Sequence, residues 1–419
     1  MKDSEMDKYI CDFHIHSKYS RATAKDMDIP HLVRWAKIKG VDLLGTGDFT
    51  HPQWIAELKG ALEPKGNGIF KYEGIDFILT SEVSNIYFKA GRTKKVHNII
   101  FAPDFKAADE ITSYLRGYGI IESDGRPMLD LPCDRMAREI FNIDPDCMIV
   151  PAHVWTPHFS VFGSNSGFDR IEECFEDQTK NIFSLETGLS SDPAMNWRWS
   201  KLDRFTLMSN SDAHSPSKIG REANVFDAPF TYKELKDILK TKDKKRFLYT
   251  IEFFPEEGKY HWDGHRPCGQ RLSPKDAKAL NYMCPSCGKK VTIGVLNRVE
   301  ALSDRDGGFK LDNAPYFKNL IPFAEIISEA LGVGPESMAV QREYDQLIGA
   351  FGTEFNILLD IPEDDILGRM PQKIASGIMR VREGRVSVAP GYDGVYGEIS
   401  IFGEEAGDAE KTEKQMTFF

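Results

Sequence analysis

Apolar positions over residues 1–250 follow two alternating periods. Short apolar runs at 9–13, 41–45, 77–80, 96–101, 148–150, 182–185 and 206–208 read as strands. Between most of them apolar residues recur at helical spacing, as over Ile29–Lys39. Strands alternating with amphipathic helices predict an α/β protein built on a β/α barrel. Chemistry in such barrels gathers at the C-terminal strand ends. After the basic run Lys242-Asp243-Lys244-Lys245-Arg246 the pattern breaks. Residues 255–291 are rich in Gly, Pro, Cys and His and predict a small loop-dominated unit. Beyond 301, helical patterns at 325–330, 341–351 and 374–381 mix with apolar runs at 355–359 and 398–402 that read as strands, an α+β ending. The sequence shows no internal repeat and no G-x-x-x-x-G-K-[ST] phosphate loop, which removes a nucleotide-driven motor from this chain.

Composition narrows the class. The 419 residues are 41% hydrophobic and 28% charged, which supports a real core and excludes a long disordered or fibrous chain. No apolar run approaches the ~18–20 residues of a membrane span, and the polar start Met1-Lys2-Asp3-Ser4 lacks a signal-peptide apolar segment. The expectation is a cytoplasmic protein with no membrane segment. A net charge of −11 argues against general adhesion to nucleic acid while leaving room for a local basic groove. Seven cysteines make a disulfide framework improbable on parity and compartment. Cys11, Cys133, Cys147 and Cys174 read as inert thiols, whereas Cys268, Cys284 and Cys287 crowd together.

The histidines carry the chemistry. His14-Ile15-His16 follows a strand, so both rings point to one side and can share an ion, with Asp12 on the same face. Asp48 and His51 end the second strand, Glu82 follows the third, His97 lies in the fourth and His153 follows the fifth. Asp212 and His214 form a second D-x-H after 206–208. A single such histidine is more often a hydrogen-bonded core or surface residue. Six strand ends that each deliver a ligand-type residue point instead to a polynuclear metal site. Mixed imidazole and carboxylate ligands suit Zn, Mn, Mg or Fe, and a bridging carboxylate such as Glu82 suits paired ions. Paired ions serve phosphoryl transfer by activating water and holding the attacking and leaving oxygens.

Asp12-Phe13-His14-Ile15-His16, Gly47-Asp48, Glu82, His97, His153 and Ser211-Asp212-Ala213-His214 resemble the polymerase-and-histidinol-phosphatase (PHP) superfamily. The resemblance implies a distorted β/α, TIM-like barrel binding two or three divalent metals for phosphoester hydrolysis. It implies that His14, His16, Glu82 and Asp212 hold one ion and that Glu82, His97 and His153 hold a second. His214 with Asp48 and His51 would hold a third. Phe49 stands where the superfamily commonly has His after the Asp, which leaves open whether His51 replaces it or Asp48 binds alone. Three longer stretches, 152–157, 162–168 and 185–197, together with Asn210-Ser211-Asp212-Ala213-His214-Ser215-Pro216, are similar to the endonuclease Q family over nearly the whole chain to about residue 402. That family implies a prokaryotic DNA-repair enzyme nicking 5′ of deaminated bases, with Asp212, Glu82 and His153 catalytic.

Cys284-Pro285-Ser286-Cys287-Gly288 has zinc-knuckle spacing, and Cys268 with His265, preferred over His261, completes a tetrahedral structural zinc. The alternative is a set of reduced thiols. Arg271 occupies the place a fourth Cys would take. Trp155, Trp197 and Trp199 are candidates to stack on an extruded base, or else core rings. His158 is a candidate strand clamp, and Arg380, Arg382, Arg385 and Tyr392 are candidates to meet phosphates or frame a base pocket, or else surface charge. The tail Gln415-Met416-Thr417-Phe418-Phe419 is similar to sliding-clamp (PCNA) binding motifs, although only three steps separate Gln415 from Phe418. The expected organisation is 1–250 metal-dependent barrel, 251–300 zinc unit, 301–402 α+β domain for DNA and base recognition, and 403–419 tail. The expected partner is damaged DNA, and the expected place is the nucleoid-associated cytoplasm. The rival readings are a phosphatase of a small ester and an inert DNA-binding accessory module.

Overall fold

A computed structural model of the protein describes residues 8–403. The tail residues Gln415, Met416, Phe418 and Phe419 lie outside them. Local signals set the first elements. Helix Ile29–Lys39 starts where Asp28 accepts the His31 N–H, takes Pro30 in its first turn and stops at Gly40, whose φ of 84° suits a residue with no Cβ. Its buried face is Ile29, Leu32, Val33 and Ala36, spaced for one helical stripe.

Strand Tyr9–Asp12 runs parallel to Leu43–Gly45, which runs parallel to Ile75–Lys89. Ile75–Lys89 and Arg92–Ala102 then form one long antiparallel hairpin rather than a β-α-β unit, and Met148–Pro151 pairs antiparallel with its second arm. Ser184–Glu186 and Thr206–Met208 form a separate parallel pair. That pair spans the remaining gap: Val154 N–H donates to Glu186 O at 3.0 Å, and Ile15 bridges Ala213 in parallel. The resulting fold is α/β with a mixed sheet, the distorted form of the expected barrel. Its interior is packed by Cys11, Phe13, Ile78, Phe101, Val150, Met208 and Phe226.

On the other side of Tyr9–Asp12 the sheet continues antiparallel through Ala223–Phe226 and Phe247–Glu252. Tyr316–Asn319, far along the chain, adds a parallel edge strand to Phe247–Glu252. The cysteine-rich segment holds a hairpin of Asp263–His265 with Gln270–Leu272, a short helix Pro274–Ala279 and its own small core of Leu272, Ala277, Cys284 and Val291. The last part packs helices Phe323–Leu331, Met338–Phe351, Glu363–Arg369 and Gln372–Arg382 with a hairpin of Ser387–Ala389 and Glu398–Ser400.

One expected strand is a helix. Residues 355–359 form a wide helical turn, Asn356–Asp360, opened by Thr353, whose hydroxyl accepts the Asn356 N–H at 3.2 Å. A short buried apolar run does not distinguish strand from helix by periodicity. Arg382 decides it here: its guanidinium donates to Leu358 O (3.0 Å), Ile361 O (2.7 Å) and Ile357 O (2.8 Å), carbonyls that a strand ladder would have used. Arg382 is therefore buried and bonded to backbone, not placed to meet phosphate. Among the described residues no helix is long and apolar enough to cross a membrane.

Candidate metal centre

Backbone geometry brings the strand-end residues inward. His14 and His16 leave Tyr9–Asp12 on one side, with Ile15 between them held by its bridge to Ala213. In the long hairpin Ser84 lies opposite His97, so Glu82, two residues earlier, shares a face with His97. His153 and Asp212 follow their strands in left-handed backbone, at φ 32° and 47°, and Asp48 does the same at 50°. Residues with a Cβ rarely adopt that region, and its appearance at three positions of one site marks loops held against strain.

The donors form two groups joined by one carboxylate. One ligand atom from each of His14, His16, Glu82 and Asp212 lies within 4.8 Å of the others, and so do those of Glu82, His97 and His153. Glu82 Oε2 faces His14 Nε2 at 3.5 Å and His16 Nε2 at 3.3 Å. Its other oxygen, Oε1, faces His97 Nδ1 at 2.6 Å and His153 Nε2 at 3.1 Å. Asp212 Oδ1 lies 3.0 Å from His16 Nε2.

Outer partners fix which nitrogen of each ring is free. Glu186 holds His14 Nδ1 at 3.0 Å, and Asp48 holds His16 Nδ1 at 3.1 Å. Thr156 Oγ1 lies 2.8 Å from His153 Nδ1. In each ring Nε2 is left for the centre, the arrangement by which carboxylates orient metal-binding imidazoles. Glu186 is itself held by Asn210 Nδ2 (2.8 Å) and the His153 N–H (2.9 Å).

Burial and charge agree with a cation site. His14 Nε2 is a buried nitrogen with no hydrogen-bond partner, aimed into the cluster. Such an orphan is costly unless something binds it, and the donor set around it is of the transition-metal type. Burial pushes the Asp212 carboxyl up, but the His16 hydrogen bond and the charges of His14 and His16 hold it well below the carboxylate range. Burial likewise opposes ionisation of Glu82, and His97, Arg126 and His14 outweigh it. Both carboxylates are thus anionic donors, and the residues present fit divalent cations.

The expected third group is not gathered in the same way. Asp48 spends its oxygens on His16, the Ser17 N–H and hydroxyl, and the Ser20 hydroxyl. His51 directly precedes helix Pro52–Ala61 with no capping bond from its side chain, and its ring stacks on Tyr19 at 4.4 Å. His214 lies beside the centre, its ring 4.5 Å from that of His16 and its Nδ1 2.8 Å from Asp212 O. Asp12 braces the Asp212 loop, accepting the Ser211 and Gly220 N–H groups.

A separate cluster joins His265, Cys268, Cys284 and Cys287 within 4.8 Å, half-buried at the surface. His261 lies apart from it, and burial lowers its ring pKa to about 4. Trp155 is fully buried and donates to Asn196 Oδ1 at 2.8 Å, while Trp197 packs edge-on against Phe317; both are core rings here. His158 and Arg385 are exposed, Arg380 is half-buried, and Tyr392 is half-buried against Gly264.

Two residues at the centre escaped the sequence reading. Glu186 ends a strand just as the ligands do, and the same strand-end rule would have found it. Arg126 Nη1 stands 3.0 Å from Glu82 Oε2. It comes from the irregular segment between helix Phe105–Leu115 and strand Met128–Leu129, where no periodicity points to it.

Comparison with known proteins bears on the whole chain. Residues 322–385 match the family model "MJ0043 C-terminal domain". An uncharacterised protein of Methanocaldococcus jannaschii, MJ0043, is 34% identical over 59% of this chain, a region that makes up 31% of that longer protein. The uncharacterised protein YqxK of Bacillus subtilis is 30% identical over 94% of this chain and all of its own length. The crystal structure of the lesion-specific endonuclease PfuEndoQ from Pyrococcus furiosus superposes with a TM-score of 0.84 at 33% identity, covering 95% of this chain and 98% of that one. Endonuclease Q in complex with a 27-mer duplex carrying an abasic lesion at the active site superposes at 0.82, also with 33% identity, covering 96% and 100%. With fold and sequence matched over at least 95% of each chain at 33% identity, the chain belongs to the endonuclease Q family.

Proposed function

We propose that this protein is a metal-dependent DNA repair endonuclease that hydrolyses the phosphodiester 5′ of a deaminated base or abasic site, leaving a 3′-hydroxyl and a 5′-phosphate. The observation that carries it is Glu82, one carboxylate with an oxygen in each of two donor groups. Support comes from the end-to-end likeness to a lesion-specific endonuclease and to its complex with abasic DNA. Two divalent cations there would supply an activated water and charge for the attacking and leaving oxygens of an in-line displacement. Glu82 would belong to both groups, with His14, His16 and Asp212 completing the first and His97 and His153 the second. Glu186, Asp48 and Thr156 hold the rings in the tautomer that presents a free nitrogen. The water oxygen would bond to phosphorus as it gives up a proton, the bond from phosphorus to O3′ would break, and O3′ would take up a proton and leave as the hydroxyl.

His265, Cys268, Cys284 and Cys287 would hold a zinc that is closed to substrate and staples the hairpin unit. Of the residues read as DNA contacts, His158 and Arg385 are exposed and Arg380 and Tyr392 are half-buried, and their contact with DNA stays a proposal. The tail is proposed as a sliding-clamp ligand on its sequence alone; a peptide of residues 403–419 that fails to bind a clamp would remove it.

The test of the main reading is nicking of end-labelled duplexes containing one uracil, one hypoxanthine, one abasic site or no lesion, with Mg²⁺ or Mn²⁺ added. One cut 5′ of the lesion and an intact control are expected. Asp212→Ala should abolish the cut while DNA binding survives. Hydrolysis of small phosphate esters with no cut in any duplex would establish the phosphatase instead, and bound DNA with neither activity would establish the inert module.

A further inference from the structure

Arg126 has no part in either donor group, yet the fold takes trouble to place it. Its segment is pinned on both sides: the Gly125 N–H donates to Tyr19 O at 3.0 Å, and Pro127 O accepts the Ser84 N–H at 2.9 Å. Asp124, itself buried, accepts the Arg126 N–H at 3.1 Å and the Arg21 N–H at 3.2 Å, closing the turn. Gly125 touches the outer layer of the centre directly. A Cβ there would stand 2.3 Å from Asp48 Oδ2 and 2.4 Å from Ser20 Oγ, so the turn seats on the residues that orient His16.

The guanidinium reaches Glu82 Oε2 at 3.0 Å while 26% of the side chain stays exposed, so it lies at the mouth of the centre rather than beneath it. Asp212 contributes to the same negative field around it. Glu82 Oε2 is also the oxygen that faces His14 Nε2 and His16 Nε2. With the donor groups filled, that oxygen would serve a divalent cation as well and would neutralise Arg126 less. Glu82 and Asp212, with Glu186 and Asp48 behind the rings, are four carboxylates against the five positive charges that two divalent cations and the guanidinium would bring, and an anion would meet the excess. A phosphodiester is an anion of the right shape, since a guanidinium fork matches two phosphate oxygens as an ammonium does not.

We propose that Arg126 is a further catalytic residue, one that takes a non-bridging oxygen of the scissile phosphate and stabilises the charge that builds there as water attacks. This rests on the endonuclease reading above. Arg126 forms and breaks no covalent bond; it exchanges the Glu82 oxygen for a phosphate oxygen when substrate arrives.

The experiment compares wild type, Arg126→Ala and Arg126→Lys on an end-labelled duplex with one abasic site, under single turnover at saturating enzyme. Metal content by mass spectrometry, melting temperature and duplex affinity are measured on the same preparations. The expected result is a rate lower by on the order of 10²–10³-fold in Arg126→Ala, the usual cost of losing one donor to a transition-state oxyanion. Metal content should stay at the wild-type level and duplex affinity should fall far less than the rate, because the charge that Arg126 meets is largest in the transition state. Arg126→Lys should also be slow, since a point charge does not span two oxygens; it carries the test if the alanine variant fails to fold. Added guanidinium should speed Arg126→Ala and leave Asp212→Ala inactive. A rate within about threefold of wild type would overturn the inference, as would loss of metal in step with loss of rate. If wild type itself cuts no lesion duplex, the endonuclease reading fails and takes this one with it; if wild type cuts and the variants cut equally, only the role of Arg126 falls.

Discussion

The rings of His14, His16 and His153 are each set by the atom behind them. Glu186 illustrates the point: with one carboxylate it accepts from His14 Nδ1, Asn210 and the His153 backbone, so it links both donor groups without entering either. Glu186→Gln keeps the shape but removes the charge that orients His14. Affinity for the barrel cations should fall about 10–100-fold, the usual effect of such outer partners, while the melting temperature of the metal-free protein changes little. Competition against a chelating dye measures this, and unchanged affinity would mean His14 needs no such partner. A second buried carboxylate behaves differently. Glu222 Oε1 accepts the Phe253 N–H at 3.2 Å, and Oε2 has no partner. Burial, then the charge of Glu252, pushes its pKa well above the ordinary value. The folded state therefore holds this proton to higher pH than the unfolded chain does, so stability is full below the unfolded pKa of about 4.3 and is lost as pH rises through the raised folded value. Glu222→Gln should raise the melting temperature relative to wild type by an amount that grows as pH rises above the unfolded value. A difference that is flat with pH would contradict the assignment.

Among the elements, the turn Asn356–Asp360 depends on a side chain from another helix. Arg382, near the end of Gln372–Arg382, satisfies three carbonyls that the wide turn leaves open. Arg382→Ala should cost about 3 kcal/mol, since buried carbonyls lose a charged donor. Arg382→Lys should recover only part of that, because one ammonium does not reproduce the fork. Denaturant melts decide the size. A stable Arg382→Ala protein with weakened DNA binding would instead support the phosphate-contact role expected from sequence. The long hairpin is the other decisive element: its register alone sets Glu82 and His97 on one face, and neither residue follows a strand end in the simple β/α sense.

At the scale of the molecule, the barrel is finished by residues far beyond it. Tyr316–Asn319 covers the edge of Phe247–Glu252, and Lys39 meets Glu354 at 2.7 Å with both side chains buried. Gly40 lets Thr353 approach so closely that a Cβ would lie 2.5 Å from its Oγ1. One hydrophobic core contains Leu32 and Ala36 of the barrel with Ile326, Tyr344 and Ile378 of the last helices. Ending the chain at residue 300 should therefore expose a strand edge and an apolar face, giving a barrel that aggregates and melts earlier. Light scattering and calorimetry check this; a soluble fragment with the full-length melting temperature would show the two parts to be independent.

The sequence by itself showed which residues could act as donors. His14, His16, Glu82, His153 and Asp212 were read from short apolar runs that they follow, His97 from a run that contains it, and His265, Cys268, Cys284 and Cys287 from zinc-knuckle spacing; the structure gathers these residues into clusters. Only the tertiary structure decided which donors meet and what stands behind them. Asp48 and His51 sit at a strand end like the others, yet one, in left-handed backbone, turns to serine hydroxyls, and the other, extended ahead of a helix, turns to a tyrosine ring. Trp155 and Trp197 carry the same composition whether they stack on a base or fill a core, and packing put them inside. Arg126 reaches the centre from an irregular segment, through contacts separated by dozens of residues, and no local period encodes a contact of that kind.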